Sequence, residues 1–274
     1  MYYVISSDYH ANAPALDKIL TKFSGHEYQL VLMGDFFDSH GGDAKAMATV
    51  LKDLVEGKYK LSHEPIILMG NHDSLFLETA HGSMLDWKTW DANGMHSTLH
   101  QLGFKESFHS LQKIQDFLHN NYQYILDIFE NASYQLTTPN FLAVHAGIDW
   151  DKVLDTSNRD SIWIRDDYIF GTHPRRYHTN DLGMPIITGH TPTRNFQDSD
   201  DIMVLKSSKE DVPRYLIDGG SKAGKDYQGQ VNVLLIKEDD SNDVILINNI
   251  ENPNYIEQHA QDLPEAPYYA PELD

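Results

Sequence analysis

The chain contains no cysteine. That excludes disulfides and thiolate metal sites, and it fits a reducing compartment. No stretch approaches the roughly 18 apolar residues that a membrane span requires, so a membrane is not an expected partner. The first residues, Met1-Tyr2-Tyr3-Val4-Ile5, read as a strand. They carry no basic stretch or long apolar core, so no signal peptide is expected and a cytoplasmic location is. Positive charge is scarce as well: 21 Lys and Arg stand against 41 Asp and Glu, a formal charge of −20. Such a surface disfavours wrapping a nucleic-acid backbone, which needs clustered Lys and Arg. An anionic substrate would have to be drawn in by local positive charge, which metal ions in a cleft supply.

What the chain does have is length and apolar content. Its 274 residues, 41% of them apolar, are ample for a packed core. Apolar runs alternate with helical periodicity. Residues 2–7 and 29–33 read as strands. Leu16, Ile19, Leu20 and Phe23 share a helical face behind a cap at Asn12, with Pro14 in the first turn. Met47, Val50, Leu51, Leu54 and Val55 recur in the same way behind Asp43. This alternation predicts an α/β fold. Residues 74–132 lack strand signals, and the periodicity of 111–129 predicts two helices there. The block reads as a helical insertion that either covers one side of a site or packs on the core. Tyr134–Thr137 and Phe141–Val144 form an expected hairpin, and further strands are expected at 202–205, 215–217, 231–236 and 244–248. With no repeat or clear linker, residues 1–250 read as one domain, and 251–274 as an acidic, proline-bearing tail. No feature speaks to oligomeric state.

The chemistry is concentrated where apolar runs end. Leu30-Val31-Leu32-Met33 leads into Gly34-Asp35-Phe36-Phe37-Asp38. Val4–Ser7 leads to Asp8-Tyr9-His10, and Ile66–Met69 to Gly70-Asn71-His72-Asp73. Phe141–Val144 leads to His145-Ala146-Gly147, and Pro185–Thr188 to Gly189-His190-Thr191-Pro192. A lone Asp after a strand is more often a cap or turn residue, but five such endings in one chain are not explained that way. Open α/β sheets keep their sites at carboxyl strand ends.

The candidate metal ligands are Asp8, His10, Asp35, Asn71, His145 and His190. They divide naturally into Asp8, His10 and Asp35 for one ion and Asp35, Asn71, His145 and His190 for a second, with Asp35 shared. Two ions roughly 3.5–4 Å apart are the usual device for displacement at phosphorus. The mixed oxygen and nitrogen shell points to manganese first, with iron or zinc as alternatives, rather than calcium. His72 is left to protonate the leaving oxygen, with Asp38 holding its other nitrogen; a ligand role for His72 is the alternative. Arg165 is the candidate for a bidentate phosphate contact, against a surface salt bridge to Asp166 or Asp167. Asp218-Gly219-Gly220 is either a turn facing the site or an ordinary hairpin turn.

This series of motifs resembles the calcineurin-like metallophosphoesterase superfamily. Within it, His145-Ala146-Gly147, Trp163-Ile164-Arg165 and Gly189-His190-Thr191 resemble the bacterial serine/threonine protein phosphatases and their relatives, the symmetrical dinucleoside tetraphosphate hydrolases. The resemblance spans Asp8 to His190 and omits the insertion and the tail. It implies a four-layer αββα sandwich, a dinuclear site at the strand ends between the sheets, and hydrolysis by a metal-bound hydroxide without a phosphoenzyme. Two positions depart from the pattern. Ser39 stands where an Arg normally follows Asp38 and grips phosphate, with His40 or an insertion residue as the expected replacement. Ala11 stands where a Gly follows His10.

The expected function is therefore a metal-dependent phosphatase acting on phosphomonoesters, phosphoserine and phosphothreonine among them. A dinucleoside polyphosphate hydrolase or small-nucleotide phosphodiesterase is the alternative, with Trp87, Trp90 and Phe104 stacking a base. A metal-retaining scaffold of low activity is the alternative of another class. The implied partner is a phosphorylated protein or small molecule.

Overall fold

A computed structural model describes residues 1–39, 41–222 and 229–263. The chain runs β1 (Tyr2–Ser6), α1 (Ala13–Lys22), β2 (Tyr28–Leu32), α2 (Ala44–Val55) and β3 (Ile66–Ile67). Four helices follow: α3 (Asn71–Ala80), α4 (Met84–Asp91), α5 (Met95–Leu102) and α6 (Leu111–Glu130). Next come β4 (Gln135–Thr137), β5 (Leu142–Val144), α7 (Asn158–Trp163), α8 (Asp166–Phe170), β6 (Ile186–Thr188), β7 (Met203–Leu205) and β8 (Arg214–Leu216). The described chain closes with β9 (Asp218–Gly219), β10 (Gln230–Val231), β11 (Val233–Lys237), β12 (Asp240–Ile247) and β13 (Glu257–His259).

Two sheets form the centre. One has the order β13-β12-β11-β1-β2-β3, the other β4-β5-β6-β8-β7, and β9 pairs with β10 as a short ribbon. Each large sheet contains a parallel trio: β1, β2 and β3 in the first, β5, β6 and β8 in the second. Period-two alternation assigns the faces. In β1, Val4 faces one core cluster and Ile5 another; in β2, Leu30 and Leu32 face the first and Val31 the second. In the second sheet, Ala143, Ile187 and Tyr215 join Ile5 and Val31 in the shared cluster. Leu142, Ile186 and Leu216 face a third cluster containing Tyr168, Ile169 and Phe170 of α8. The first cluster holds Leu16 and Ile19 of α1 and Met47 and Leu51 of α2. Three apolar interfaces thus separate helices, sheet, sheet and helices, which is the αββα sandwich.

Both expected caps form. Asn12 Oδ1 accepts from Ala15 N at 3.2 Å, and Asp43 Oδ1 accepts from Ala46 N at 2.9 Å. The expected hairpin is β4 paired antiparallel with β5. Within 74–132 the two expected helices are a single helical run, α6, broken at Tyr122 (φ −133°, ψ 27°). Three further helices, α3 to α5, precede it. At the far edge β13 pairs antiparallel with β12, so part of the acidic segment lies on the first sheet; Pro264, Pro267 and Pro271 fall outside the described residues. No described helix is long and apolar enough to cross a membrane.

Candidate active site

The carboxyl ends of the two parallel trios lie side by side. The segments after β1, β2 and β3 carry Asp8, His10, Asp35 and Asn71; those after β5, β6 and β8 carry His145, His190 and Asp218. The first two loops are laced together through the main chain. Asp8 N donates to Gly34 O (3.1 Å), His10 N to Asp35 O (2.8 Å) and Ala11 N to Phe36 O (2.7 Å). The backbone here is strained. Seven described non-glycine residues have positive φ, and six of them are Asp8, His10, Ala11, Asp35, Asp38 and His190. Left-handed backbone is costly for residues with a Cβ and gathers at functional sites. Ala11, at φ 60°, is the position where the resemblance expects glycine.

Close packing needs glycine at two points. A Cβ on Gly70 would stand 2.3 Å from Asp35 Oδ1, and one on Gly189 would stand 2.1 Å from Asp8 Oδ2. Asp73, to which sequence reasoning gave no role, holds the organising loop. Its Oδ2 accepts from Asp35 N (2.7 Å) and Gly70 N (3.1 Å), and its Oδ1 from Phe36 N (3.0 Å).

All six predicted ligands converge, each at most 4% exposed. Asp35 Oδ2 lies between two imidazoles, 3.5 Å from His10 Nε2 and 3.6 Å from His145 Nε2. Ligand atoms of His10, Asp35 and His72 lie within 4.8 Å of one another, as do those of Asp35, His145 and His190. These are two clusters that could each hold a metal ion, and they share Asp35. His72 therefore sits within ligand reach of the first. Asp8 Oδ1 is 3.9 Å from His10 Nε2, and Asn71 Oδ1 is 3.3 Å from His145 Nε2.

The far side of each ring is anchored. His145 Nδ1 is 2.6 Å from Met33 O, and His10 Nδ1 is 3.0 Å from Phe37 O. A carbonyl accepts only from N–H, so Nδ1 carries the hydrogen and, in the neutral ring, Nε2 presents its lone pair to the cluster. Asp8 Oδ1 and His190 Nε2 are buried without a hydrogen-bond partner among the described residues. Orphaned acceptors of this kind fit a bound cation and are costly without one.

The charges agree. Burial drives the His10 imidazole down to about 3. Burial together with the neighbouring His145 holds His190 well below the ordinary histidine range. For Asp35, burial favours the acid, but the His145, His72 and His10 rings keep it well below the usual carboxylate range. His145 is opposed by burial yet raised by Asp35 to about 10.

A second constellation adjoins the first. His72 Nδ1 is 2.8 Å from Asp38 Oδ2, as expected. Asp38 is itself gripped by two residues of the helical block: Trp90 Nε1 donates to Oδ2 at 2.6 Å, and Thr98 Oγ1 donates to Oδ1. On the other side of the ring, Lys222 Nζ is 2.6 Å from His72 Nε2. Arg165 forms no ion pair with Asp166 or Asp167. Its Nη1 donates to His190 O (2.7 Å) and Thr191 Oγ1 (3.2 Å), which seats it at the cleft.

A cleft of about 330 Å³ is lined by His10, Asp35, His72, Arg165, Asp218 and Lys222, among others. Asp218 faces it rather than ending an ordinary hairpin, although it also pairs through β9. The Ser39 side chain turns into its own loop, accepting from Gly41 N and Gly42 N at 3.1 and 2.9 Å; His40 lies outside the described residues. Trp90 is fully buried and Phe104 is 3% exposed, so neither offers a face to a base; Trp87, the third residue of the stacking expectation, is only partly buried.

Asp73, Trp90, Thr98 and Lys222 escaped sequence reasoning. Asp73 lies inside a recognised motif, and Lys222 four residues beyond Asp218. Trp90 and Thr98 are 52 and 60 residues from Asp38, with no local signal linking them.

No curated protein matches the chain in sequence. Solved structures match across nearly its whole length. A cold-active protein-tyrosine phosphatase of a psychrophilic Shewanella species is 17% identical, with a TM-score of 0.53 over 93% of this chain and 80% of that one. A protein serine/threonine phosphatase from Saccharomyces cerevisiae is 12% identical, with a TM-score of 0.51 over 93% and 82%. A protein assigned as a diadenosine tetraphosphatase is 12% identical, with a TM-score of 0.50 over 90% and 93%. At these identities the likeness is one of fold. The profile of the Calcineurin-like phosphoesterase family matches residues 1–212, and the chain belongs to that family.

Proposed function

We propose that this phosphoesterase is a dinuclear metal-dependent phosphatase that hydrolyses phosphomonoesters, phosphoserine and phosphothreonine in proteins among them. The observation that carries the reading is the pair of His/Asp clusters sharing Asp35, set against the His72–Asp38 pair in one cleft. Asp8, His10 and Asp35 would hold one divalent ion, and Asp35, Asn71, His145 and His190 the other, with manganese the first choice and iron or zinc the alternatives. Bound there, the ions supply Lewis acidity at the phosphoryl oxygens and make water a stronger acid.

The remaining roles fall to the chain. Arg165, seated by His190 O and Thr191, presents its other guanidinium nitrogens to phosphoryl oxygens. His72, its Nδ1 held by Asp38, is placed to pass a proton to the leaving oxygen through Nε2, the nitrogen that faces Lys222 Nζ at 2.6 Å before substrate arrives. Trp90 and Thr98 hold the Asp38 carboxylate still, so that the ring cannot turn away. The burial of Trp90 and Phe104 weighs for a monoester and against a stacked nucleotide. The cysteine-free composition supports a cytoplasmic location.

The test is hydrolysis by metal-stripped protein resupplied with manganese. Its substrates are an aryl phosphomonoester, phosphoserine, phosphothreonine and phosphotyrosine peptides, and a dinucleoside tetraphosphate. Metal-dependent release from the monoesters is the expected result. Preference for the dinucleotide would move the assignment to nucleotides, and two bound metals without turnover would make the protein a scaffold.

A further inference from the structure

Three cationic side chains line the cleft: Arg165, Arg194 and Lys222. Arg194 is committed to Asp200, with Nε and Nη2 at 2.8 and 2.7 Å from its two carboxylate oxygens. Arg165 is braced on main-chain and hydroxyl oxygens and keeps donors in reserve. Lys222 differs from both. Among the described residues no carboxylate pairs with it; its recorded partner is the ring nitrogen His72 Nε2, at 2.6 Å. An ammonium has three N–H donors, and one ring nitrogen occupies one of them. The remaining two belong to a half-buried cation at the edge of a cleft, in a molecule whose formal charge is −20.

Its backbone is placed with care. Lys222 follows the turn in which Gly220 N donates to Asp218 Oδ1 at 2.7 Å, and Ser221 Oγ donates to Tyr9 O at 3.0 Å. Tyr9 stands between Asp8 and His10, so the turn that carries Lys222 is tied to the loop that carries two candidate ligands. Among the described residues, the loop after Asp38 offers no cation in its place, because Ser39 is spent on Gly41 and Gly42.

We infer that Lys222 is the second phosphate-binding cation of the site, acting with Arg165 on the phosphoryl group of a dianionic monoester while steadying the His72 ring. The inference rests on the phosphatase reading above. Two positive charges match the two negative charges of a terminal monoester at neutral pH, whereas a diester carries only one. Lys222 therefore also sets a preference for monoesters over diesters.

The experiment uses the full chain, wild type and the Lys222→Met and Lys222→Arg variants, each first checked for metal content and for melting temperature. Calorimetry measures binding of inorganic phosphate, and kinetics measure kcat/KM for an aryl phosphomonoester and for the matching diester. In Lys222→Met, phosphate should bind about tenfold or more weakly, and the monoester-to-diester ratio should fall by a similar factor. Lys222→Arg should keep both within about threefold, since the charge and donors remain. If Lys222→Met binds phosphate as the wild type does and loses monoester and diester turnover equally, Lys222 merely supports His72 and the inference is wrong, while the phosphatase reading stands. If the wild type neither binds phosphate nor hydrolyses either ester, both readings fall together.

Discussion

At the scale of single residues, the proposed roles divide into groups that would hold cations and groups that would act on the substrate, and mutation can tell them apart. His72→Ala removes the proposed proton donor but no member of the proposed ligand set. Turnover should fall roughly 10²- to 10⁴-fold with both metals retained, whereas Asp35→Ala, which removes the shared carboxylate, should lose metal. Elemental analysis beside steady-state kinetics checks this; metal loss from His72→Ala would make it a ligand, as its place within reach of His10 and Asp35 allows. Asp73→Ala strips the acceptor from three buried N–H groups, those of Asp35, Phe36 and Gly70. Each unpaired buried donor costs about 1–3 kcal/mol, so chemical denaturation should show a loss of several kcal/mol, and metal affinity should drop with it. The candidate ligands stood out because they follow apolar runs at the carboxyl ends of strands, where the structure brings them together. Asp73 did not, because its work is done on the backbone of another loop, and Ser39 was legible only as a departure, not as the hydroxyl that ties Gly41 and Gly42.

At the scale of elements, the helical block has a job that its sequence conceals. The sequence left open whether 74–132 covers the site or packs on the core; in the structure it packs on the core and reaches the site through Asp38, with none of its residues lining the cleft. Trp90 of α4 lies in the first core cluster and donates to Asp38, and Thr98 of α5 grips the other oxygen of the same carboxylate. Trp90→Phe keeps most of the packed ring and deletes the donor. Turnover should fall by roughly tenfold, the value of one buried hydrogen bond to a charged group, with metal content unchanged and the acidic or basic limb of the pH–rate profile displaced. A profile identical to wild type would show that Asp38 needs no such support. The periodicity of α6 was legible because one of its faces is wet. That of α3 was not: eight of its ten residues are buried, from Asn71 to Ala80, and no polar stripe remains to betray a helix. The αββα order was implied by resemblance, since alternation alone indicates layers but not which sheet faces which.

For the whole molecule, metal binding should be coupled to protons. In the metal-free protein His145 is raised to about 10 against an ordinary value of 6.5, so it is charged at neutral pH. Its contribution to stability is complete below 6.5 and is lost as pH climbs toward 10. His10, lowered to about 3, is already neutral and has no proton to give up. Loading the site must therefore expel the His145 proton, together with any proton that burial keeps on Asp8, and apparent affinity should rise with pH between 6.5 and 9. Calorimetry in buffers of different ionisation enthalpy counts the release directly, and a pH-independent affinity would contradict the proposed ligand.

Four of the proposed ligands hang from one sheet and two from the other, and beside side-chain packing the two halves are joined there by hydrogen bonds such as His145 Nδ1 to Met33 O and His190 N to Asp8 Oδ2. Filling the centre would rivet two slabs that otherwise share little beyond packing and a few hydrogen bonds. Asp35 and His145, 110 positions apart in the chain, would become ends of one stiff bracket. A shear of the slabs that leaves each of them intact would still pull the bracket out of true, so the sandwich can lose its chemistry well before it loses its fold.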